Sequence, residues 1–264
     1  MFSSLFRPSI EKLIEKKDVK GLISALKSTD QKYVISAIQA LGDIKAEESI
    51  DALKETWNNS KDINVRKEIY ISLGKIGSEK AIDILGSILD PGYGYFQDNP
   101  EFALISAKYL IESASESAIK ILQTIAFQHT NPIVRAEIMD MVGIAQKAEF
   151  LQLLIYAMTD RDPEMTVSPS MEPYYDPILK KTRTKFMRQI GINGITLLGA
   201  GIFEKFDLLT RGRTPTPYSL IAYLHVLKNI GGEAGMETIK ACSESSQGDS
   251  SVKDSAKKLL ASVN

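Results

Sequence analysis

The chain has 264 residues, 44% hydrophobic and 25% charged, with a formal net charge of -1 and one cysteine. No stretch reaches the ~20 consecutive apolar residues of a membrane span, since the longest, Ile190 to Phe203, is broken by Asn193, Thr196 and four glycines. Neither an internal disulfide nor a Cys/His zinc site can be built from Cys242, His129 and His225, and without an apolar leader before Glu11 and Lys12 a cytoplasmic location is expected.

In chain order, a short leading helix from Ser9 to Lys17 comes first. Val19, Leu22, Ile23 and Leu26 then recur at three and four, the spacing of one helix face. Asp30 opens a second helix, because a short acid can accept a hydrogen bond from an unpaired first-turn amide. The pattern then repeats. Shifted by 32 residues, Asp30, Leu41, Gly42, Ile44, Glu47 and Ile50 fall on Asp62, Leu73, Gly74, Ile76, Glu79 and Ile82 without a gap, and Ile50, Leu53 and Trp57 restate the first stripe. A further shift of 69 brings Asn131, Val134, Arg135, Glu137, Ile138 and Gly143 onto Asp62, Val65, Arg66, Glu68, Ile69 and Gly74. Asp249, Val252 and Lys253 repeat the motif near the end. A period in this range is the mark of a solenoid, and the chain predicts a leading helix and about seven antiparallel helix pairs, all-α, with almost no strand signal. Gly42, Gly74 and Gly143 fit either a left-handed closing residue or a tight helix contact.

Two segments interrupt the period. DPGYGYFQDNP from Asp90 to Pro100 and DRDPEMTVSPSMEPYYDP from Asp160 to Pro177 are too rich in Pro and Gly for helix interior. Long loops of this kind more often carry function, and their aromatics, Tyr93, Tyr95, Phe96, Tyr174 and Tyr175, are candidate contact residues. A helix from near Pro177 is expected to place Lys181, Lys185 and Arg188 on one face, followed by Arg211 and Arg213 in TRGRTPTP. Here the charge separates. Residues 1–177 hold 19 Lys+Arg and 26 Asp+Glu, residues 178–213 hold 8 and 2, and the rest 5 and 5, so the net -1 is the sum of -7, +6 and 0.

Catalytic chemistry is hard to assemble. Cys242 ends a stripe with Met236 and Ile239 and reads as a small packed residue. His129, before the Asn131 cap, suits the helix dipole, and His225, in the stripe of Leu220, Ile221, Leu224 and Leu227, reads as partly buried. Asp160, Asp162 and Glu164 lack the glycine and final glutamate of a calcium loop, so no metal is expected. Gly191, Gly194, Gly199 and Gly201 follow no strand and precede no Gly-Lys-Ser/Thr, which leaves close helix packing rather than a phosphate cradle. Trp57, at the position of Leu26, reads as core. Arg66 and Arg135 recur as a repeat feature should, and a ladder of ion pairs and hydrogen bonds between repeats is expected from them.

DINVR, NPIVR and DSSVK, with LGDI and LGKI, resemble the HEAT-like repeats first named for phycobilisome lyases, and FRPSIEKLIEKKDVKGLISALKS resembles the opening of microbial HEAT-repeat proteins. The resemblance covers 18–150 and 227–264 and is weak between. It implies an α-solenoid whose second helices line a concave face, with Asp30, Asp62, Val65, Arg66, Asn131, Val134, Arg135, Asp249, Val252 and Lys253 as structural repeat positions. The expected organisation is a single array: a cap at 1–17, regular repeats at 18–150, irregular repeats at 151–226 and a final repeat at 227–264. The expected function is a non-enzymatic scaffold or adaptor without cofactor. Its macromolecular partner, a protein, would be held on the concave face and long loops through the five aromatics and Lys181, Lys185, Arg188, Arg211 and Arg213. The alternative is a cofactor- or nucleic-acid-acting protein, like a bilin lyase or an alkylpurine glycosylase, using the basic segment 180–213. Self-association through the oppositely charged segments is a third expectation.

Overall fold

The structure, a computed structural model, describes residues 8–89, 100–129, 131–159, 165–166, 184–185, 187–210 and 216–262. Among the described residues a leading helix, α1 (Ile10–Glu15), is followed by seven pairs. They are α2 (Val19–Ala25) with α3 (Gln31–Asp43), α4 (Ile50–Asn59) with α5 (Ile63–Ile76), α6 (Glu79–Ile88) with α7 (Pro100–Ser113), and α8 (Glu116–Gln128) with α9 (Pro132–Ile144). The last three are α10 (Leu151–Thr159) with α11 (Met187–Leu198), α12 (Phe203–Thr210) with α13 (Pro217–Ile230), and α14 (Gly232–Glu244) with α15 (Ser250–Ala261). The fold is all-α, the helix-pair repeat of an α-solenoid. By compactness it divides after Leu122, within α8, into two units.

The second helix of a pair starts where its cap dictates. Asp30, Asp62, Asn131 and Asp249 accept from the backbone amides of Lys32, Asn64, Ile133 and Ser251 at 3.1, 2.8, 2.9 and 2.8 Å. Each such cap stabilises its helix by about 1 kcal/mol. The amide of the cap residue is itself held two residues back, Asp30 by Ser28 Oγ at 3.1 Å, Asp62 by Ser60 Oγ at 3.2 Å and Asn131 by His129 Nδ1 at 3.0 Å. His129, 3% exposed, thus stands where the turns before Asp30 and Asp62 use serine, accepting the Asn131 amide at Nδ1.

The choice left open for three glycines is resolved by contacts. Gly42, Gly74 and Gly143 lie inside their helices. A Cβ on Gly42 would come 2.8 Å from Ser72 Cα, one on Gly74 2.2 Å from the Tyr109 ring, and one on Gly143 3.3 Å from Gly194 Cα. The left-handed closing residue comes three positions later, at Lys45 (φ 52°), Gly77 (φ 65°) and Gln146 (φ 51°), positions related by the same shifts of 32 and 69. Of the four glycines from 191 to 201, Gly191 and Gly194 are packed closely, whereas Gly199 takes φ 77° and Gly201 faces open space.

In the first unit α3, α5 and α7 pack in series, and α4 packs on α6. Leu41 and Leu73, Ile50 and Ile82, and Leu53 and Leu85, each pair 32 residues apart, are fully buried between them, and each contributes roughly 1.5–3 kcal/mol of transfer free energy. Polar links of about one repeat join successive pairs: Lys75 donates to Asp43 at 2.6 Å, Lys80 to Asp51 at 2.7 Å, Lys67 to Glu101, and Ser72 Oγ to the Ile38 carbonyl at 2.8 Å. Tyr70 stacks on Phe102 with centroids 4.7 Å apart and donates to the Ile88 carbonyl at 3.2 Å.

In the second unit α9, α11, α13 and α15 pack in series, with α10 against α11. Asn229 donates to Thr196 at 2.9 Å and Lys228 to Ser262 at 2.6 Å, again about one repeat apart. Leu224, Leu227, Ile239, Val252, Ala256 and Leu259 form the core of the last two pairs. The helix expected from near Pro177 is corrected. Thr184–Lys185 (β2) pair antiparallel with Met165–Thr166 (β1), and α11 begins at Met187. The β-branched threonines of KKTRTKF, alternating with charged residues, favour extended backbone, so Lys185 and Arg188 share no helix face.

Candidate functional site

In the first unit α3 and α5 offer a shared side to solvent. On α3 Lys32, Ser36, Gln39 and Asp43 are exposed in one row, at spacings of four, three and four. Their equivalents on α5, 32 residues on, are exposed Asn64 and half-buried Glu68, Ile71 and Lys75. Because α3 and α5 are packed together, these two rows form one face of mixed charge with an apolar element at Ile71. The hydrogen bond to Asp43 holds the Lys75 ammonium above its usual range against the opposing effect of burial, with the charges of Asp43, Tyr109 and Glu68 adding to it.

Two concavities flank this row in the first unit. One, of about 500 Å³, lies at the C-terminal ends of α3, α5 and α7 and is lined by Asp43, Lys45, Gly74, Lys75, Tyr109 and Glu112 among others. The other, of about 400 Å³, lies at the opposite ends of α3 and α5, bordered by the last turns of α2 and α4. Their rims carry both signs of charge.

The motif arginines staple the turns. Arg66, 8% exposed, donates from Nε to the Ser60 carbonyl at 2.8 Å, and its guanidinium lies 4.8 Å over the Trp57 ring. Arg135 donates to the His129 carbonyl at 2.6 Å. Each reaches six residues back, across the turn inside its own pair. The links between pairs described above are made by lysines, carboxylates and hydroxyls. Trp57 is buried, as its match with Leu26 requires.

Of the contact residues expected in the long loops and basic segment, Tyr93, Tyr95, Phe96, Tyr174, Tyr175, Lys181, Arg211 and Arg213 lie outside the described residues, as do Asp160, Asp162 and Glu164. Lys185 is placed on β2 and Arg188 in the first turn of α11. The Arg188 guanidinium stands 5.2 Å over the ring of Tyr218, which opens α13 and is 64% exposed. Sequence reasoning missed Tyr218. The signal was present, an aromatic in the first turn after TPTP beside the basic segment, but only packing brings α13 against α11.

Groups with chemical potential stand apart. Burial raises the pKa of the half-buried Cys242 thiol, with the Lys253 charge opposing, which keeps the sulfur in its less nucleophilic form. His225 turns out exposed on α13 between buried Leu224 and Val226, and shielding by its neighbours, followed by the charge of Lys228, lowers its pKa. Among the described residues no group of His, Cys, Asp and Glu is arranged to hold a metal ion, and no helix is long and apolar enough to cross a membrane.

Helix pairs repeating at a 32-residue shift, with second helices opened by acid or amide caps at Asp30, Asp62, Asn131 and Asp249, define a helical-repeat protein. The family model described as HEAT repeats matches residues 19–97, so this part of the chain is built of HEAT repeats. No curated protein matches the chain.

Proposed function

We propose that the chain is a non-enzymatic scaffold or adaptor that binds a protein partner. One observation carries the reading: α3, α5 and α7 pack in series, and the rows on α3 and α5 merge into one surface of donors, acceptors, both charges and a half-buried apolar residue. A repeat whose members contact chiefly their neighbours supplies such a surface rigidly, and selectivity then lies in what decorates it. The aromatic loops with Tyr93, Tyr95, Phe96, Tyr174 and Tyr175 are the assigned decoration, with Ser36, Gln39 and Glu68 on the helix face. The test is capture of the partner from the protein's own cell. Ser36→Arg with Glu68→Arg, and separately alanine at the five loop aromatics, each reduce capture. Unchanged capture by both sets removes the assignment.

A second reading is supported by Arg188, in the segment 178–213 of balance +6, lying over the ring of exposed Tyr218. An aromatic-basic pair of this kind suits a nucleic acid strand. Salt-sensitive binding to duplex or single-stranded DNA, lost in Arg188→Ala, favours it; salt-insensitive or absent binding removes it. Self-association through the opposed charges is read by sizing the protein at low and high salt.

A further inference from the structure

The first helix pair departs from the repeat at one chemically telling place. Shifted back by 32 residues, Arg66 and Ser60 fall on Val34 and Ser28, and Trp57, shifted back by 31 in the preceding helix, falls on Leu26. The first pair therefore keeps the carbonyl position of the staple but carries neither the guanidinium nor the indole. The concavity of about 400 Å³ lies there, lined by Leu26, Ser28 and Val34 of the first pair and by Glu55, Asn59 and Ser60 of the second.

We propose that this groove receives an arginine side chain of the protein partner, its guanidinium taking the place that Arg66 and Arg135 fill from within their own repeats. Buried Leu26 and Val34 suit the methylene stem, as the apolar surroundings of Arg66 do. The Asn59 side-chain oxygen offers a hydrogen-bond acceptor, and the exposed Glu55 carboxylate at the rim accepts the forked N–H pair of a guanidinium. Lys27 at the same rim balances Glu55, so recognition rests on directed hydrogen bonds rather than on net charge, which selects arginine over lysine. The inference rests on the reading that the partner is a protein and adds which side chain is read and where.

The probes are three blocked tripeptides, Gly-Arg-Gly, Gly-Lys-Gly and Gly-Leu-Gly, titrated to millimolar concentration into the full chain and followed by backbone amide NMR. The arginine peptide shifts amides of residues 26–34 and 55–65 saturably, and the other two bind about tenfold more weakly or not at all. Val34→Arg, which supplies the missing guanidinium in place, loses the arginine peptide and raises Tm by several degrees. Glu55→Ala weakens binding several-fold at unchanged Tm, whereas Val34→Ala keeps the groove open and keeps binding. Undiminished peptide binding by Val34→Arg, a lowered Tm or failure of that variant to fold, or no binding by the parent chain each overturns the groove assignment. The protein-partner reading, tested by capture through the α3 and α5 face, survives any of these results.

Discussion

The Tyr109 ring rests on Gly74, so closely that a Cβ added to the glycine would lie 2.2 Å from it. That contact lets α7 approach α5, and of the two roles the sequence left open for Gly74 it selects the tight helix contact over the left-handed closing residue. Gly74→Ala is expected to lower stability by about 1–3 kcal/mol through overpacking. Adding Tyr109→Ala recovers part of the loss, a coupling measurable as a double-mutant cycle in urea unfolding.

Backbone obstructs more firmly than a ring does. A Cβ on Gly191 would lie 2.4 Å from the Met158 amide nitrogen and 2.6 Å from the Leu154 carbonyl oxygen, neither of which can rotate away, while Gly201 meets nothing within 4 Å. Gly191→Ala is expected to cost about 3 kcal/mol or more. Gly201→Ala gains about 0.4–1 kcal/mol from the reduced freedom of the unfolded chain. Thermal unfolding of the two variants should move in opposite directions.

The closing residues of the helices give a third pair of outcomes. Lys45 and Gly77 occupy equivalent positions at φ 52° and 65°, but only the second is a glycine. Lys45→Gly is expected to stabilise by about 1 kcal/mol and Gly77→Ala to destabilise by a similar amount, since an L side chain costs roughly 1–2 kcal/mol in this region. Equal and unchanged Tm values for both would contradict this.

Arg66 is worth more than its charge. Lysine in its place keeps the cation but loses the planar group that both bonds Ser60 and lies over Trp57. Arg66→Lys is expected to cost about 1–3 kcal/mol, the scale of a hydrogen bond from a charged group together with a cation–π contact. The urea midpoint and the fluorescence of Trp57, the one tryptophan of the chain, should report it together.

Tyr70 makes stability fall in alkali. Burial raises its phenol above the usual tyrosine range, against smaller opposing effects of neighbouring Trp57 and the Arg66 charge. An acid whose folded pKa is raised contributes stability that is present below its unfolded value near 10 and is lost as pH rises beyond it. Urea midpoints measured from pH 9 upward should therefore drop. Tyr70→Phe flattens the drop, at the cost of the bond to Ile88 near neutral pH.

Much of this molecule was legible from residues alone because the forces concerned are local. The spacing by three and four of Val19, Leu22, Ile23 and Leu26, the acids and amide at 30, 62, 131 and 249, and the 32-residue shift fix helices, their starts and their pairing from local pattern alone. The leading helix and seven pairs follow from them. What the sequence left open depends on neighbours remote in the chain. Whether Gly42 and Gly74 close a helix or admit another was decided by Ser72 and Tyr109, whose arrival depends on how successive pairs stack. The strand at Thr184–Lys185 exists because Met165–Thr166 reaches it, and Tyr218 joins Arg188 only when α13 packs on α11. The same holds for the first groove. Val34 is an ordinary core residue in the sequence, and it becomes the place of a missing guanidinium only when the stacked second pair shows what an arginine does there.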